Sequence, residues 1–132
     1  MIDYEFLYEF SKELLDLHKH ILWIAITNKF GVIINAEHKK GLKPLLTEEE
    51  NEEYASSTIT RHTTRTKFES KMGKVIYAFG RYQKLNRATI PINDNYFLLL
   101  ALDVEEKNFD QIITEKVIPL LEKHKDKFIV EG

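Results

Sequence analysis

The chain has 132 residues, of which 43% are hydrophobic and 11% aromatic, a composition typical of one globular domain and not of a disordered or fibrous chain. Because 19 lysines and arginines are balanced by 21 aspartates and glutamates, the formal charge is −2, which excludes a strong overall attraction to nucleic acid or anionic lipid. The sequence has no cysteine, which excludes disulfides, thiolate catalysis and cysteine-ligated zinc and fits a reducing cytoplasm. We expect a single cytoplasmic domain over residues 1–132.

Uncharged apolar runs in this sequence are short. The two longest, residues 21–26 and 96–102, are far below the roughly 20 residues that a membrane-spanning helix needs. Residues 1–5 lack the basic region and the small-residue cleavage site of a secretory signal. The sequence therefore predicts neither a membrane span nor a signal peptide.

The amino-terminal part of the chain predicts a helix followed by a β-hairpin. Between residues 2 and 19 the apolar residues recur at alternating spacings of three and four, the period of an amphipathic helix. Residues 21–27 are apolar and rich in β-branched types, which predicts a strand buried on both faces, so we expect the Trp23 indole to be mostly buried. Gly31 can adopt the positive φ that closes the hairpin, and residues 32–34 return as the second strand.

Residues 36–46 predict a loop, because glycine and proline interrupt a polar stretch. Helix two follows, since Thr47 and Glu50 have the spacing of a capping box, and Gly73 offers its carboxyl-terminal stop. The middle of this helix is rich in serine and threonine and has few large apolar side chains. We therefore expect helix two to bury only a thin apolar stripe.

Three strands are predicted after helix two. Residues 74–82 and 85–92 are assigned to the third and fourth strands, and the continuous apolar run 96–102 to a central fifth strand. Alternation in the fourth strand predicts inward side chains at Ala88, Ile90 and Ile92 and outward side chains at Arg87, Thr89 and Pro91. Pro91 cannot donate to a ladder and therefore belongs at the strand end or facing an unpaired side.

The last helix is predicted to begin at Asn108, which with Gln111 has the spacing of a second capping box. Pro119 predicts a kink or an early end, and residues 128–130 form an apolar tail that either docks on the body or frays. The element order is then α-β-β-α-β-β-β-α. This order predicts an α+β fold built on a five-stranded antiparallel sheet.

This element order, together with the hairpin turn at Gly31, resembles the roadblock and dynein light chain family along nearly the whole chain. The resemblance implies helices one and three on one face of the sheet and helix two on the other, a shape close to longin and profilin-like domains. It also implies a non-enzymatic interaction module that pairs as a homodimer through helix two and the third strand. Support of a small GTPase or a signalling complex follows from the same analogy.

A closer resemblance is to a family of small archaeal proteins that have no assigned activity. It rests on residues 41–46 before the acidic start of helix two, on Arg61 and Arg65 inside that helix, and on residues 71–74 with Tyr77 after it. This resemblance implies the fold and transfers no catalytic residue.

The sequence contains no fingerprint of catalysis or metal binding. Its five histidines include no i, i+4 pair and no His-Glu-x-x-His arrangement, so we expect no metal site. No serine lies in a Gly-x-Ser-x-Gly elbow, and the glycines form neither a dinucleotide-binding nor a Walker loop. We predict a protein that is not an enzyme and that holds no cofactor.

Helix two is acidic at its start and basic at its end, with Glu52 and Glu53 in the acidic half and Arg61 and Arg65 in the basic half. One interpretation is that these charges only complement the helix dipole. The other is that a second copy in antiparallel orientation sets acid against base twice, as a two-fold axis permits. Small serine and threonine side chains would let two such helices approach closely.

Arg61 and Arg65 share one face of the helix, and with Arg81 and Arg87 on the adjacent strands they define a candidate anion-binding patch. The patch suggests a sensor of a small anionic ligand, and the alternative is arginines that pair with nearby glutamates. An apolar cavity larger than about 300 Å³ would favour the sensor. Tyrosines beside Arg81 do not predict nucleic-acid binding, since that strand packs at least one face into the core or a dimer.

Overall fold

A computed structural model describes residues 2–129 of the chain. Helix α1 spans Tyr4–Asp16 and α2 spans Glu48–Arg65, and the strands are β1, Ile21–Asn28; β2, Ile33–His38; β3, Ala78–Arg81; β4, Asn86–Pro91; and β5, Tyr96–Leu102. The strands form one antiparallel sheet in the order β2-β1-β5-β4-β3. This sheet and the order of the helices confirm the predicted α+β fold class.

The C-terminal helix consists of three consecutive helical segments, which are Phe109–Ile112, a π-helical turn Ile113–Val117, and Ile118–Lys123. Shorter helical turns are Thr66–Phe68, Glu69–Met72 and Lys125–Lys127. Within residues 2–129, no helix has both the length and the apolar character needed to cross a membrane.

The main core lies on the sheet face that α1 and the C-terminal helix cover. Leu7, Phe10 and Leu14 of α1 recur at the helical period and are fully or almost fully buried there, together with Ile113 and Val117 of the C-terminal helix. Helix α2 covers the opposite face. The predicted placement of helices one and three on one side and helix two on the other is therefore confirmed.

The apolar cluster beneath α2 is small, because it consists of Ala25, Ala55 and Leu99, with Trp23 and Ile33 packed partly buried at its edge. The buried stripe of α2 consists of Asn51, Ala55, Thr58, Ile59 and His62. Three of these five residues are polar. The expected thin stripe is confirmed, and it leaves polar side chains in contact with the sheet.

Helix α2 begins at the predicted capping box. The Thr47 hydroxyl accepts from the Glu50 amide at 3.1 Å, and the Glu50 carboxylate accepts from the Thr47 amide at 2.9 Å. Two short helical turns extend the helix to Met72, and Gly73, with a φ of +84°, ends it as predicted.

The hairpin turn has Gly31 at a φ of +79°, and the Gly31 amide donates to the Asn28 carbonyl at 3.1 Å. Strand β2 differs from its predicted bounds, since it continues to His38, which pairs with Trp23. Residues 36–38 were expected in a loop, but pairing along β1 satisfies their backbone groups. Strand β3 is shorter than predicted because it has four ladder partners on β4 and lies at the edge of the sheet.

The carboxyl-terminal region corrects one prediction and decides another. Asn108 precedes the helix but its side chain makes no capping hydrogen bond, so the second capping box is wrong. Pro119 does not end the helix, because the π-helical turn before it accommodates the missing amide donor. Phe128 is 1% exposed and Ile129 is 61% exposed, so the tail docks through Phe128, and Val130 lies outside the described residues.

Two predicted side-chain orientations are wrong. Arg87 and Thr89 were expected to point outward, but both are buried, because β4 is an interior strand and α2 covers its second face. Trp23 was expected to be mostly buried, and most of its side chain is covered, although it is not fully buried and lines open space beside the loop that leads to α2. Pro91 is the last residue of β4, as predicted.

Candidate functional site

An arginine-lined cleft of about 120 Å³ lies between α2 and the β3–β4 edge of the sheet. Its walls include Arg61 and Arg65 from α2 and Arg87 from β4, and no aspartate or glutamate within residues 2–129 lines it. We call it the arginine cleft. Arg81, the fourth arginine of the predicted patch, lies at the exposed end of β3 and is not part of the lining.

The two arginines of α2 have no acidic partner in the described part of the chain. Arg61 Nη2 donates to the Thr58 hydroxyl at 3.0 Å, and its guanidinium lies 5.7 Å from the centre of the Tyr54 ring. Arg65 is exposed one turn later. Since neither forms an ion pair within residues 2–129, the structure does not show the pairing with nearby glutamates that one interpretation expected.

The acidic half of α2 is separated from the arginine cleft. Glu52 and Glu53 are exposed and, among the residues described, they also form no ion pair. With a rise of 1.5 Å per residue, Glu53 and Arg61 are about 12 Å apart along the helix axis. That distance prevents the two charges of one helix from neutralising each other.

Arg87 occupies a different environment from the solvent-facing position that alternation predicted. It is 5% exposed, and its guanidinium lies 4.1 Å from the centre of the Tyr54 ring and 4.6 Å from that of Trp23. Arg87 and Trp23 both pair with Ala101 on β5, whose small side chain lets the two long side chains meet above it. Arg87 Nη1 donates to Asn51 Oδ1 at 3.3 Å, and burial lowers the pKa of the guanidinium.

One cluster brings together ligand types that bind metals. His18, His20 and Glu106 each place a potential ligand atom within 4.8 Å of the others. However, His18 Nδ1 accepts from the His20 amide at 3.0 Å, so neutral His18 carries its proton on Nε2, which lies 3.4 Å from the Glu106 carboxylate. A metal ion would need that nitrogen deprotonated. The donor set fits a transition metal, but this tautomer opposes binding.

Glu106 instead connects the start of β1 to the loop after β5. Its carboxylate contacts His20 Nδ1 at 2.9 Å and accepts from the Asn108 amide at 2.9 Å. The hydrogen bond with His20 is the main cause that lowers the pKa of Glu106, with the Asn108 amide as the second. The cluster therefore functions as a hydrogen-bonded clamp in this structure.

Two larger grooves, of about 550 and 540 Å³, lie away from the α2 arginines. The first runs between the end of α2 and the C-terminal helix and includes His62, and the second lies beside β2 and includes Trp23. The arginine cleft is smaller than the about 300 Å³ that is usual for ligand sites. A sensor based on Arg61 and Arg65 alone therefore lacks the expected cavity.

His62 makes folding stability dependent on pH. Its ring packs edge-on against Phe97 at 4.8 Å, and burial lowers its pKa from 6.5. His62 therefore binds a proton less readily in the folded state than in the unfolded state. Its contribution to the free energy of unfolding is complete above pH 6.5 and is lost as the pH falls through the lowered pKa. We expect urea titrations to give a smaller free energy of unfolding at about pH 5.5 than at about pH 7.5.

The variant His62→Leu should remove part of this pH dependence, because a leucine cannot take up the proton. The control is His38→Leu, which changes an exposed histidine and should leave the dependence as in the wild type. An identical pH dependence in the wild type and His62→Leu would contradict the assignment.

The fold is shared with solved Roadblock/LC7 structures. A Roadblock/LC7 domain from Streptomyces avermitilis has a TM-score of 0.72 at 8% identity, over 92% of this chain and 97% of that one. MglB from Myxococcus xanthus has a TM-score of 0.71 at 14% identity, over 100% of this chain and 98% of that one. An MglB described with a tetrameric arrangement has a TM-score of 0.76 at 10% identity, over 94% of this chain and 88% of that one. The predicted roadblock-like fold is confirmed.

No protein-family model matches the chain, and no curated protein matches it in sequence. The structural likeness, at these low identities, concerns the fold. The resemblance to the archaeal family stays a prediction.

Sequence reasoning missed the two arrangements that depend on distant segments. Glu106 lies 86 residues from His20, and no spacing rule connects the two. The contacts of Arg87 with the Trp23 and Tyr54 rings depend on strand order and register. The close spacing of His18 and His20 was the only sequence signal for the cluster with Glu106. No sequence signal indicated the contacts of Arg87.

Proposed function

We propose that this protein is a non-enzymatic regulatory or interaction module that acts as a two-fold homodimer paired through α2 and β3. The shared Roadblock/LC7 fold supports the module, and an MglB of the same fold is described with a tetrameric arrangement. The partner class we propose is a small GTPase or a signalling complex, by family analogy. The pairing itself is argued from the surface of this chain.

The observation that carries the proposal is the separation of charge along α2. The arginine cleft lies at the basic end of α2, and Glu52 and Glu53 are exposed toward its acidic end. Among residues 2–129, neither the α2 arginines nor these glutamates form an ion pair. An antiparallel copy of α2 would bring each acidic end to the other copy's cleft. A two-fold axis makes this exchange twice, because an isologous interface repeats every contact.

The exposed face of α2 is suited to close helix packing. Its side chains between the charged ends are small, and they include Ser56, Ser57, Thr60 and Thr64. The Thr60 hydroxyl donates to the Ser56 carbonyl at 3.1 Å, so this polar group is satisfied within its own helix. Two backbones can therefore approach without leaving that hydroxyl unpaired.

Apolar surface beside α2 would supply most of the binding energy. Phe68, Met72 and Ile76, in the connection from α2 to β3, are 58%, 83% and 69% exposed. Strand β3 is an edge strand, whose unpaired backbone groups are free to pair with another strand. A dimer that covers both features removes an apolar patch and an open edge together.

Charge reversal tests this interface. Arg61→Glu with Arg65→Glu should weaken dimerisation, because each cleft would then repel the partner's glutamates, and adding Glu52→Arg with Glu53→Arg should partly restore it. Each exposed ion pair contributes about 0–1 kcal/mol, and the two-fold axis repeats each pair, so loss of four pairs should weaken the dimer by up to about 4 kcal/mol, or up to about a thousandfold in the dissociation constant. Sedimentation equilibrium measures this constant.

The matched control is Lys123→Glu with Lys127→Glu, which makes the same change in net charge at exposed positions near the carboxyl end. This control should leave dimerisation unchanged. A wild type that stays monomeric at high micromolar concentration would refute the dimer, and a dimer indifferent to both reversals would refute this interface. Native mass spectrometry of protein purified from its own cell tests the partner, since a homodimer with a bound protein is the expected species.

A further inference from the structure

Arg87 is a buried cation without an anionic partner in the described part of the chain. The side chain is 5% exposed, and Asn51 Oδ1, at 3.3 Å from Nη1, is the single hydrogen-bond acceptor that the structure gives it. Arg87 Nε and Nη2 are shielded from solvent and have no acceptor among residues 2–129. Natural proteins pair the great majority of buried polar atoms, so two unpaired guanidinium nitrogens call for an explanation.

The aromatic rings on either side of Arg87 do not complete its environment. Stacking on Trp23 and Tyr54 attracts the cation to the ring faces, at 4.6 and 4.1 Å, but it satisfies no N–H group in the guanidinium plane. Nε and Nη2 form one edge of the guanidinium, and a carboxylate can accept two parallel hydrogen bonds from such an edge. An anionic acceptor would pair with both nitrogens and offset the buried charge.

Arg87 also lines a pocket of about 250 Å³ between the sheet and the loop formed by residues 39–47. Most of its lining is apolar, and its other charged side chains are Lys43 and Lys84. No aspartate or glutamate within the described residues lines it. Leu42 and Leu45 of the loop are 43% and 59% exposed, so the loop side of the pocket has apolar surface that the chain itself does not cover.

We propose that this pocket binds a small monocarboxylate with an apolar tail. The carboxylate would take the two free nitrogens of Arg87, and the tail would lie against Trp23 and the leucines of the loop. The pocket is smaller than the about 300–1,000 Å³ of sites for drug-sized ligands, which selects a short tail. Because Nε and Nη2 are shielded from solvent, binding requires the side chains around them to shift.

Four small molecules test the carboxylate and the apolar tail of the proposed ligand separately. Hexanoate has both the carboxylate and the tail, whereas acetate lacks the tail, hexanol lacks the charge and hexylamine reverses it. We expect hexanoate alone to raise the melting temperature in the low millimolar range, by mass action on the folded state. Trp23 is the only tryptophan of the chain, so its fluorescence reports directly on the stacked guanidinium and should change with hexanoate along the same binding curve.

Substitutions locate the site. Arg87→Met keeps an unbranched side chain without the charge and should weaken hexanoate binding about tenfold or more, whereas Arg65→Met, in the neighbouring cleft, should not. Leu45→Asp places a carboxylate in the pocket at an exposed position and should also weaken binding, even if Arg87→Met fails to fold. The control for Leu45→Asp is Val32→Asp, which adds the same charge at a position that is 57% exposed and outside the pocket. This control should leave hexanoate binding unchanged.

Three results would overturn the proposal. The first is a wild type that shows no shift and no fluorescence change with hexanoate at millimolar concentration. The second is an equal response to hexanol, since the charge would then have no role. The third is unchanged hexanoate affinity in a folded Arg87→Met or in Leu45→Asp.

Discussion

Replacing Gly31 with alanine is expected to lower the free energy of unfolding by about 2–5 kcal/mol, the sum of two separate penalties. The backbone at Gly31 has a φ of +79°, which an L-residue adopts at a cost of about 1–2 kcal/mol. A Cβ there would also lie 2.8 Å from the Cα of Ser56 and 3.3 Å from the carbonyl oxygen of Ala55. Both obstacles are backbone atoms of α2, so relief requires the helix or the hairpin to move, which costs a further 1–3 kcal/mol or so.

Gly41 provides a matched control for this effect. Its φ is +81°, but a Cβ at this position would meet nothing within 4 Å. Gly41→Ala should therefore lose only about 1–2 kcal/mol, and the excess loss in Gly31→Ala measures the contact of the hairpin with α2. Urea unfolding of both variants gives the comparison, and equal losses would show that α2 does not pack against the turn as described.

Phe128→Ala is expected to destabilise the protein by about 3–5 kcal/mol, as for other large buried aromatic side chains. The ring packs against Phe6, Phe10 and Tyr96, with centroids 5.7, 5.8 and 5.9 Å away. The Phe128 carbonyl accepts from Asn93 Nδ2 as well, which holds the backbone of the tail against the β4–β5 turn. Thermal and urea unfolding measure the loss.

The neighbouring residue shows whether the tail docks through one side chain. Ile129→Ala removes a side chain that is 61% exposed and should change the free energy of unfolding by no more than about 0.5 kcal/mol. A small loss in both variants would mean that the tail frays in solution, which is the other outcome that the sequence left open.

The features predicted correctly from sequence depend on residues close together in the chain. The spacing of Leu7, Phe10 and Leu14 determines α1, and Thr47 with Glu50 determines where α2 begins. Gly31 determines the hairpin turn through its positive φ. Each signal acts over one turn of helix or one tight turn, so the element order, and from it the sheet and the fold class, could be predicted.

Predictions failed where a side chain's environment is decided by the second face of a strand. Alternation in β4 gave Arg87 and Thr89 an outward orientation, but an interior strand beneath α2 has no outward face. Trp23 is mostly covered, as predicted, but the sequence did not show that it also lines open space beside the loop before α2. Hydrophobic pattern alone does not report which element covers each face.

The sequence by itself determined the helices, the strands, the turn at Gly31 and the charge polarity of α2, because these follow from local propensity and spacing. Only the tertiary structure decided which charges meet. The order β2-β1-β5-β4-β3 places Ala101 between Trp23 and Arg87, and its small side chain lets an indole and a guanidinium stack across three strands. The physical reason is that burial and pairing of a side chain depend on neighbours far away in sequence, which no local pattern encodes.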